Sequence, residues 1–384
     1  MMQSLAGITV LDLTRLLPGG FATLILADLG AEVLKIEEPG RGDYLRAFPP
    51  LGKTQSILFT ALNRGKRSLT LNLKTPAGRK ILLDLVCRAD VLIESFRPGV
   101  LARLELDYPT LRAVNERLIV CSISGYGQSS PLAERAGHDL NYLGYAGALP
   151  SFAPRGGGPP VVPGMQVADL AGGALPATIG ILAALFERER TGQGQFLDIS
   201  MTDGVLHLLA VDAAQQWATG SAPAGGRGPL SGGAACYSIY PTADGRALTV
   251  AAVEPHFWAN LCTILDREEY IALQYADWAV QERMFADLDA LFAAHTLAEW
   301  LDFFGDVEVC VGPVLGLAEA LELHSKLGFT LDQPGEGLLR QLGGLFGATA
   351  DLPAPALGEH TDAALAALGL SAAEIVGLRV TGAV

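Results

Sequence analysis

The first 200 residues alternate short apolar runs rich in Val, Ile and Leu with longer amphipathic segments. The short runs are predicted as strands over Ile8–Leu13, Ala31–Ile36, Ser68–Leu73, Asp90–Phe96, Leu118–Ser124 and Phe196–Met201. Helical spacing predicts helices over Phe21–Leu29, Pro76–Arg88, Thr110–Glu116, Leu170–Arg190 and Gly204–Thr219. This alternation is typical of βαβ crossovers, and strands covered by helices on both faces need no polar alternation. The sequence therefore predicts an α/β fold with a parallel sheet.

A Gly- and Pro-rich stretch over Gly220–Gly233 indicates a domain boundary. Beyond it, Cys236–Tyr240 and Ala247–Val253 have the pattern of a β-hairpin. Helices are predicted there over His256–Leu265, Arg283–Phe304 and Gly316–Lys326. We therefore expect a large domain over 1–200, completed by about 331–384, then a helix and linker over 201–233. A smaller α+β domain is expected over 234–330.

Charge is distributed unevenly along the chain. The formal net charge is −14, which argues against a protein that binds nucleic acid or an anionic membrane. The window from Arg41 to Lys80 nevertheless holds nine basic residues against one acid, Asp43, so it carries +8 and the rest of the chain −22. Such a cluster is either a solvated face or a site for a polyanion.

The expected location is cytoplasmic. Five scattered cysteines without a C-x-x-C motif are typical of reduced thiols. The N-terminal stretch lacks the basic start of a signal peptide. The most apolar stretch, Leu170–Phe186, is shorter than a bilayer span and is interrupted by Gly and Pro, so we expect no membrane partner.

Several common sites are absent from the sequence. There is no G-x-G-x-x-G motif after a strand, no Walker A loop and no G-x-S-x-G elbow. The six histidines lack metal-ligand spacing among themselves or with cysteines, so no metal site is predicted.

His138 and Asp169 are the candidate acid/base residues. His138 follows the strand that ends at Ser124, on the edge where parallel sheets bind ligands. It could equally be a surface histidine near a helix start, with Asp139 as the N-cap. Asp169 directly precedes the apolar helix predicted from Leu170 and could be a simple N-cap. A carboxylate there can also exchange protons while nearby backbone N–H groups polarise a substrate oxygen.

Three further positions carry charge near strand ends. Glu254 lies between an apolar strand and Pro255, where a glutamate is usually only solvated. Arg97 follows the strand predicted over Asp90–Phe96, and Arg103 comes six residues later. Both are therefore expected near the ligand edge of the sheet.

Six segments together resemble the class III coenzyme A transferase (CaiB/BaiF) family over nearly the whole chain. They are Leu5–Leu13, Leu26–Ile36, Arg64–Leu69, Phe96–Val100, Gly125–Gln128 and Gly358–Asp362. Three more are similar to the α-methylacyl-CoA racemase branch: Gly137–Tyr142 with its histidine, Asp169–Ala174 with its glycine pair, and Ala252–Phe257 with its glutamate. One position departs from this branch, because Glu38 stands where racemases can carry a basic residue.

The resemblance implies a Rossmann-like large domain, a small α+β domain and an interlocked homodimer. It implies contacts with the CoA part of an acyl-CoA substrate, with no other cofactor, at these residues: Arg64, Gly65, Lys66, Arg67, Ser95, Phe96, Arg97, Arg103, Gly137, Asp139 and Tyr142.

The activity that the resemblance implies is racemisation of 2-methylacyl-CoA thioesters through an enolate. His138 and Asp169 would exchange the α-proton, and Glu254 would support the histidine across the subunits. Backbone N–H groups near Asp169 would stabilise the enolate oxygen. Two alternatives stay open: a CoA-transferase with Asp169 as nucleophile, and a non-catalytic acyl-CoA-binding protein.

Overall fold

The computed structural model describes residues 3–222, 224–347 and 349–384. Pro223, which falls in the predicted linker, lies outside the described residues. The chain divides into two compact units. The first comprises Met1–Ala146, Gln166–Leu208 and Ser325–Val384, and the second comprises Gly147–Met165 and Leu209–His324.

The strands have the following bounds in chain order: β1 (Thr9–Leu13), β2 (Glu32–Glu37), β3 (Lys66–Thr70), β4 (Val91–Glu94), β5 (Ile119–Ser124), β6 (Phe196–Ser200), β7 (Tyr237–Pro241), β8 (Ala247–Ala251), β9 (Val311–Pro313), β10 (Gly328–Gln333) and β11 (Gly337–Leu342).

The α-helices have these bounds: α1 (Leu16–Asp28), α2 (Ile57–Asn63), α3 (Pro76–Val86), α4 (Val100–Arg103), α5 (Tyr108–Val114), α6 (Asp139–Tyr145), α7 (Leu175–Thr191), α8 (Met201–Leu208), α9 (Ala210–Thr219), α10 (Pro255–Ile264), α11 (Trp278–Phe292), α12 (Leu297–Phe304), α13 (Leu317–Leu323), α14 (Thr361–Ala367) and α15 (Ala372–Val380). A π-helical segment, Ala168–Ala174, leads directly into α7.

The first unit is built on a sheet whose six described strands have the order β3-β2-β1-β4-β5-β6. Every pairing in it is parallel, so the predicted α/β parallel-sheet fold is confirmed. This is the Rossmann strand order, in which the direction of winding reverses between β1 and β4. Ligands bind such sheets at that reversal, beyond the carboxyl ends of the strands.

The sheet is covered on both faces, as the continuous apolar strands indicate. Leu11, Leu92 and Val120 come from neighbouring strands and are each at most 1% exposed. They pack with Leu82 of α3 and Leu365 of α14 in one apolar cluster. Full burial of such a side chain contributes about 1.5–3 kcal/mol to folding.

Helix α1 begins earlier than the sequence predicts. The helical spacing predicts a start at Phe21, after Pro18-Gly19-Gly20, but the helix starts at Leu16. Proline is tolerated in a first helical turn because its missing N–H has no helical partner there. Gly19 is needed at its position, because a Cβ would lie 2.1 Å from Cβ of Thr14. The Pro-Gly-Gly run therefore lets the helix approach the end of β1.

The second unit contains the antiparallel pairs β7–β8 and β8–β9, and the first of these is the predicted hairpin. Its core includes Trp258, Phe292 and Trp300, each at most 5% exposed. The single helix predicted over Arg283–Phe304 is wrong. The chain forms α11 and α12 instead, because Thr296 caps α12 by accepting a hydrogen bond from the backbone N–H of Glu299.

The segment Gly147–Met165 belongs to the second unit, whereas the predicted boundaries placed it in the large domain. Two contacts hold it there. The backbone N–H of Gly156 donates a 2.9 Å hydrogen bond to the carbonyl of Gly226. Arg155 pairs with Asp289 of α11 at 2.5 Å. These partners are distant in sequence, so the hydrophobic pattern gave no sign of them.

One helical stretch among the described residues, Ala168–Thr191, is long and apolar enough to cross a membrane by length and composition alone. Its most apolar window has a mean hydropathy of 1.6, and 44% of that window is buried in the fold. Part of this stretch, α7, packs on β5, β6 and α1. A core helix passes the same test, so the stretch is weak evidence for a membrane span.

Candidate active site

A cavity of about 340 Å³, termed the site cavity, opens at the reversal point of the sheet. Arg15 and Leu16 follow β1 on its wall, Phe96 follows β4 and Tyr126 follows β5. The parallel-sheet rule places ligands at this edge. His138 and Asp169 both line this cavity, so two residues 31 positions apart are brought to one site.

Asp169 is the second residue of the π-helical segment, and Val167 precedes the segment as its N-cap. The interpretation of Asp169 as an N-cap is therefore wrong, because the helix starts before it. Burial and then the neighbouring carboxylate of Asp139 raise the pKa of Asp169 from 3.8 to about 7. A carboxyl group with this pKa can both donate and accept a proton near neutral pH.

The helix that carries Asp169 is held by a close glycine contact with α8. A Cβ on Gly204 would lie 1.9 Å from the carbonyl oxygen of Gly172, and a Cβ on Gly172 would lie 2.6 Å from the carbonyl oxygen of Met201. Both positions therefore require glycine. The Gly-Gly pair after Asp169 thus has a packing role, since it lets α8 fix the position of the π-helical segment.

His138 is the N-cap of α6, and its side chain is exposed at the cavity. Its backbone N–H donates a 3.1 Å hydrogen bond to Oδ1 of Asn141 in the first turn of the helix. The interpretation of Asp139 as the N-cap is wrong, because Asp139 is the first helical residue. Its side chain binds elsewhere: Oδ1 of Asp139 accepts a 2.9 Å hydrogen bond from the backbone N–H of Asp169.

This contact corrects the expectation about the enolate oxygen. The N–H of Asp169 donates to Asp139, and the N–H of Leu170 donates to the carbonyl of Gln166 at 3.1 Å. Neither of these two donors is available to a substrate in this arrangement. What the segment can still offer a developing negative charge is the field of its helix start.

Tyr142 packs against two glycines on the cavity wall. A Cβ on Gly125 would lie 2.3 Å from the Tyr142 ring, and one on Gly137 would lie 2.8 Å from it. The Tyr142 hydroxyl donates to the carbonyl of Gly137. Burial, and then the nearby Asp169, raise the pKa of Tyr142 to about 12. The hydroxyl therefore stays protonated at neutral pH.

Apart from Asp139, whose side chain accepts from the N–H of Asp169, the residues predicted to contact CoA fall into two groups. Ser95, Phe96, Arg97, Gly137 and Tyr142 line the site cavity. In addition, the Ser95 hydroxyl accepts a 3.0 Å hydrogen bond from the backbone N–H of Arg15, which ties the loops after β1 and β4 together.

The basic window supplies the second group, and much of its charge is used internally. Arg64 is 2% exposed and forms a bidentate ion pair with Asp28 of α1. Lys66 is also buried, and its ammonium group donates to Asn63 at 2.8 Å and to Thr23 at 2.7 Å. These two cations therefore stabilise the fold around the first helix.

The remaining predicted contacts lie near this segment or on α4. Gly65 has a φ of +75° and packs so tightly that a Cβ would lie 2.3 Å from Cβ of Ala350. Arg67 on β3 and Arg103 at the end of α4 are exposed. Both of these arginines can offer charge to an anionic ligand.

A second cavity of about 450 Å³ adjoins the site cavity, because Arg15 and Phe96 line both. Arg41, Lys74 and Glu38 lie on its wall. The carboxylate of Glu38 forms a 2.8 Å ion pair with Lys74 and lies 3.8 Å from the guanidinium group of Arg15. The hydrogen bond from Lys74, together with the nearby arginines, lowers the pKa of Glu38. Glu38 therefore partly neutralises a cluster of cations.

Glu254 lies in the second unit, where it is the exposed N-cap residue of α10. Its hydrogen bond to His138 stays a prediction. A metal site was not predicted, and within 3–222, 224–347 and 349–384 no three His, Cys, Asp or Glu side chains are grouped as ligands.

The sequence reasoning missed Arg15, Leu16 and Glu94. Glu94 is 3% exposed at the end of β4, and its carboxyl group accepts a 2.6 Å hydrogen bond from the backbone N–H of Phe96. Burial raises the pKa of Glu94 to about 7. The sequence carried a signal for Glu94, since this acid ends the apolar run Val91–Ile93 at the strand end where parallel sheets bind ligands.

The model of CoA-transferase family III matches residues 5–361 of this chain. The chain belongs to CoA-transferase family III. The α-methylacyl-CoA racemase of Homo sapiens is 37% identical over 387 residues, which cover 98% of this chain and 96% of that protein. The acetyl-CoA:oxalate CoA-transferase of Acetobacter aceti is 39% identical and covers 83% of this chain and 82% of that protein.

The family III fold is also found in a crystal structure of a CAIB/BAIF family protein from Brucella suis. The two structures have a TM-score of 0.82 and are 31% identical, over 96% of this chain and all of that chain. Both racemases and CoA-transferases are therefore among the relatives of this family III chain.

Proposed function

We propose that this chain racemises 2-methylacyl-CoA thioesters, with His138 and Asp169 as the two acid/base residues. The observation that carries the proposal is that these two side chains line one cavity and that the pKa of Asp169 is raised to about 7. Inversion at the carbon next to a thioester requires removal of its α-proton and return of a proton to the other face. Two groups that transfer protons on opposite faces of that carbon meet this requirement.

The proton balance uses one base and one acid in each direction. When neutral His138 removes the α-proton, the electron pair moves into the thioester as an enolate. Protonated Asp169 then delivers its proton to the opposite face of the carbon. The enzyme is left with imidazolium and carboxylate, which are the forms needed to run the reaction backward. An Asp169 with an ordinary carboxyl pKa would hold little of the protonated form at neutral pH.

CoA arrives as part of the substrate, and no other cofactor belongs to the proposal. The two adjoining cavities, joined at Arg15 and Phe96, support an extended ligand whose anionic end lies near Arg41 and Lys74. The thioester end then reaches His138 and Asp169. The proposal assumes the homodimer and cytoplasmic location expected from the sequence.

A CoA-transferase is the second candidate, because the relatives include a CoA-transferase that is 39% identical. In that reaction the Asp169 carboxylate attacks the thioester carbonyl, CoA thiolate leaves and an acyl anhydride forms. The raised pKa of Asp169 favours racemisation, since a protonated carboxyl is a poor nucleophile and a competent acid.

The test is incubation of the purified full chain with a single enantiomer of a 2-methylacyl-CoA in deuterated water. Deuterium at the α-carbon, together with loss of optical purity, is the expected result. Movement of CoA to an added free acid, with a hydroxylamine-sensitive acyl group on Asp169, would replace the proposal with CoA transfer. Binding without either reaction would leave an acyl-CoA-binding protein.

Two variants and one control locate the chemistry. His138→Ala and Asp169→Ala should each lower racemisation by at least a hundredfold, the lower bound for loss of a general acid or base. Affinity for CoA should stay nearly unchanged in both. His207→Ala is the matched control, because His207 is exposed on α8 and its ring binds the carbonyl of Asp203. An active His138→Ala enzyme would exclude the proposed role of the histidine.

A further inference from the structure

Three consecutive backbone N–H groups, two of them in residues that line the site cavity, are bound by three side chains of the first unit. The N–H of Thr14 donates to Asp12 at 2.9 Å, and that of Arg15 donates to Ser95 at 3.0 Å. The N–H of Leu16 donates to Oδ1 of Asp43 at 3.1 Å. Thr14–Leu16, the loop that runs from the end of β1 into the first residue of α1, is therefore held by three side chains.

Leu16 is the strained residue of this loop. Its φ is +62°, in the left-handed region that residues with a Cβ adopt at a cost. Strained residues persist where the surroundings over-determine them, and they concentrate at ligand sites. Leu16 lines the cavity with His138 and Asp169, so its conformation shapes the wall of the candidate active site.

The burial and the contacts of Asp43 allow its carboxylate to stabilise this conformation of Leu16. The carboxylate is 2% exposed and also accepts a 3.0 Å hydrogen bond from the backbone N–H of Leu45. Lys35, which is fully buried, lies 3.1 Å from its second oxygen and donates to the carbonyl of Thr14 at 2.9 Å. A buried carboxylate and a buried ammonium group thus bind the backbone of the same loop, one at the N–H of Leu16 and the other at the carbonyl of Thr14.

We propose that Asp43 is a positioning residue that holds Leu16 left-handed at the wall of the site cavity. Its carboxylate also lies at the first turn of α1, the position where Rossmann sheets bind a ligand phosphate. In this chain the protein's own anion takes the N–H of Leu16, and Pro18 has no N–H to offer. The start of α1 therefore offers a ligand phosphate two fewer N–H groups than an uncapped helix start.

The expected effect of Asp43 on CoA binding rests on the proposed function, whereas its hold on the conformation of Leu16 does not. The experiment therefore has two readouts on the full chain: amide hydrogen exchange within Thr14–Leu17 by mass spectrometry, and affinity for CoA by calorimetry. The first reports on the loop whether or not the protein is a racemase. A parent chain that binds no CoA would contradict the proposed function. The exchange measurement would then decide by itself whether Asp43 holds the conformation of Leu16.

The variants are Asp43→Asn, Leu16→Gly and the double substitution. Asp43→Asn should speed exchange of the Leu16 amide and weaken CoA binding about tenfold, the order of the strain in one left-handed residue. Leu16→Gly also removes a side chain from the cavity wall, so its own affinity for CoA is the reference for the double variant. The double variant should bind CoA within about twofold of Leu16→Gly, since glycine adopts a positive φ without steric cost and does not need to be held.

Leu16→Val tests the same idea with Asp43 intact, in case Asp43→Asn does not fold. A β-branched residue is a genuine outlier at positive φ, so this variant should also weaken CoA binding about tenfold. Leu17→Val is the control, because it makes the same change one residue later, within α1. Equal effects of the two valine substitutions would overturn the proposal. So would a further loss of about tenfold in CoA affinity when Asp43→Asn is added to Leu16→Gly.

Discussion

The backbone N–H of Asp169 donates a 2.9 Å hydrogen bond to the side chain of Asp139, the residue that follows His138. This bond joins the π-helical segment to the start of α6, and so it fixes the two candidate acid/base residues at one cavity. It also brings a second carboxylate close to Asp169, which contributes to the raised pKa. One contact therefore sets both the geometry and part of the electrostatics of the site.

Asp169→Asn should change how stability depends on pH. The folded-state pKa of Asp169 is raised from 3.8 to about 7, so its protonated form favours the folded state. This contribution is complete below about pH 4 and is lost as the pH rises through 7. Urea unfolding should therefore show the Asn variant gaining stability relative to the parent between pH 4 and pH 7, with no further gain above.

Asp139→Asn provides the partner measurement. It removes the second cause of the Asp169 shift, so the loss of stability attributed to Asp169 should move to lower pH. A gap between Asp169→Asn and the parent that does not vary with pH would contradict the raised pKa. The proposed acid/base role of Asp169 would then lack its electrostatic basis.

Gly125→Ala should damage the wall of the site cavity. The new Cβ would lie 2.3 Å from the Tyr142 ring, which cannot move without disturbing its contact with Tyr126. Such overpacking costs about 1–3 kcal/mol in unfolding free energy. Gly377→Ala is the control, because nothing lies within 4 Å of its Cβ position in α15. Urea midpoints that fall equally for the two variants would contradict the packing argument.

The fold could be predicted because its determinants are local. The apolar strands separated by helical segments were sufficient for the parallel sheet, and the observed strands begin or end within two residues of most predicted bounds. The hairpin of β10 and β11 was missed, because its strands alternate partly exposed residues without a clear apolar face. The extent of α1 was also missed, because Pro-Gly-Gly is a break signal unless a neighbouring strand end requires close approach.

The two candidate acid/base residues were predicted from the sequence, whereas the contacts that hold the cavity wall were missed. The sheet rule placed His138 at the ligand edge, Asp169 was singled out at a helix start, and the resemblance paired the two residues, which line one cavity. Arg15, Leu16 and Asp43 are joined through backbone N–H groups and a positive φ, and neither has a signature in the amino-acid types. Burial of Arg64 and Lys66 was equally invisible, because their partners Asp28 and Thr23 come from α1.

Arg64→Gln and Arg67→Gln should separate structural charge from ligand-binding charge. Arg64 is paired with Asp28 in the interior, so its loss leaves a buried carboxylate and should lower the unfolding free energy by about 3–5 kcal/mol. Arg67 is exposed, and its replacement should change stability by less than about 0.5 kcal/mol. Arg67→Gln should instead weaken CoA binding in a salt-dependent way. Equal stability losses in the two variants would contradict this division.

Co-expression of two inactive chains should test the predicted partnership of Glu254 with His138. If the two residues pair across the subunits of a homodimer, a dimer of one His138→Ala chain and one Glu254→Ala chain contains one site with both residues intact. Random pairing makes half of the dimers mixed, so about a quarter of all sites should regain parental racemisation. Pairing within one chain gives no such site, because each chain lacks one partner. The control replaces Glu254→Ala by a second His138→Ala chain carrying a different affinity tag, and this mixture should stay inactive. A mixed preparation no more active than the sum of its two parents would exclude the partnership across subunits.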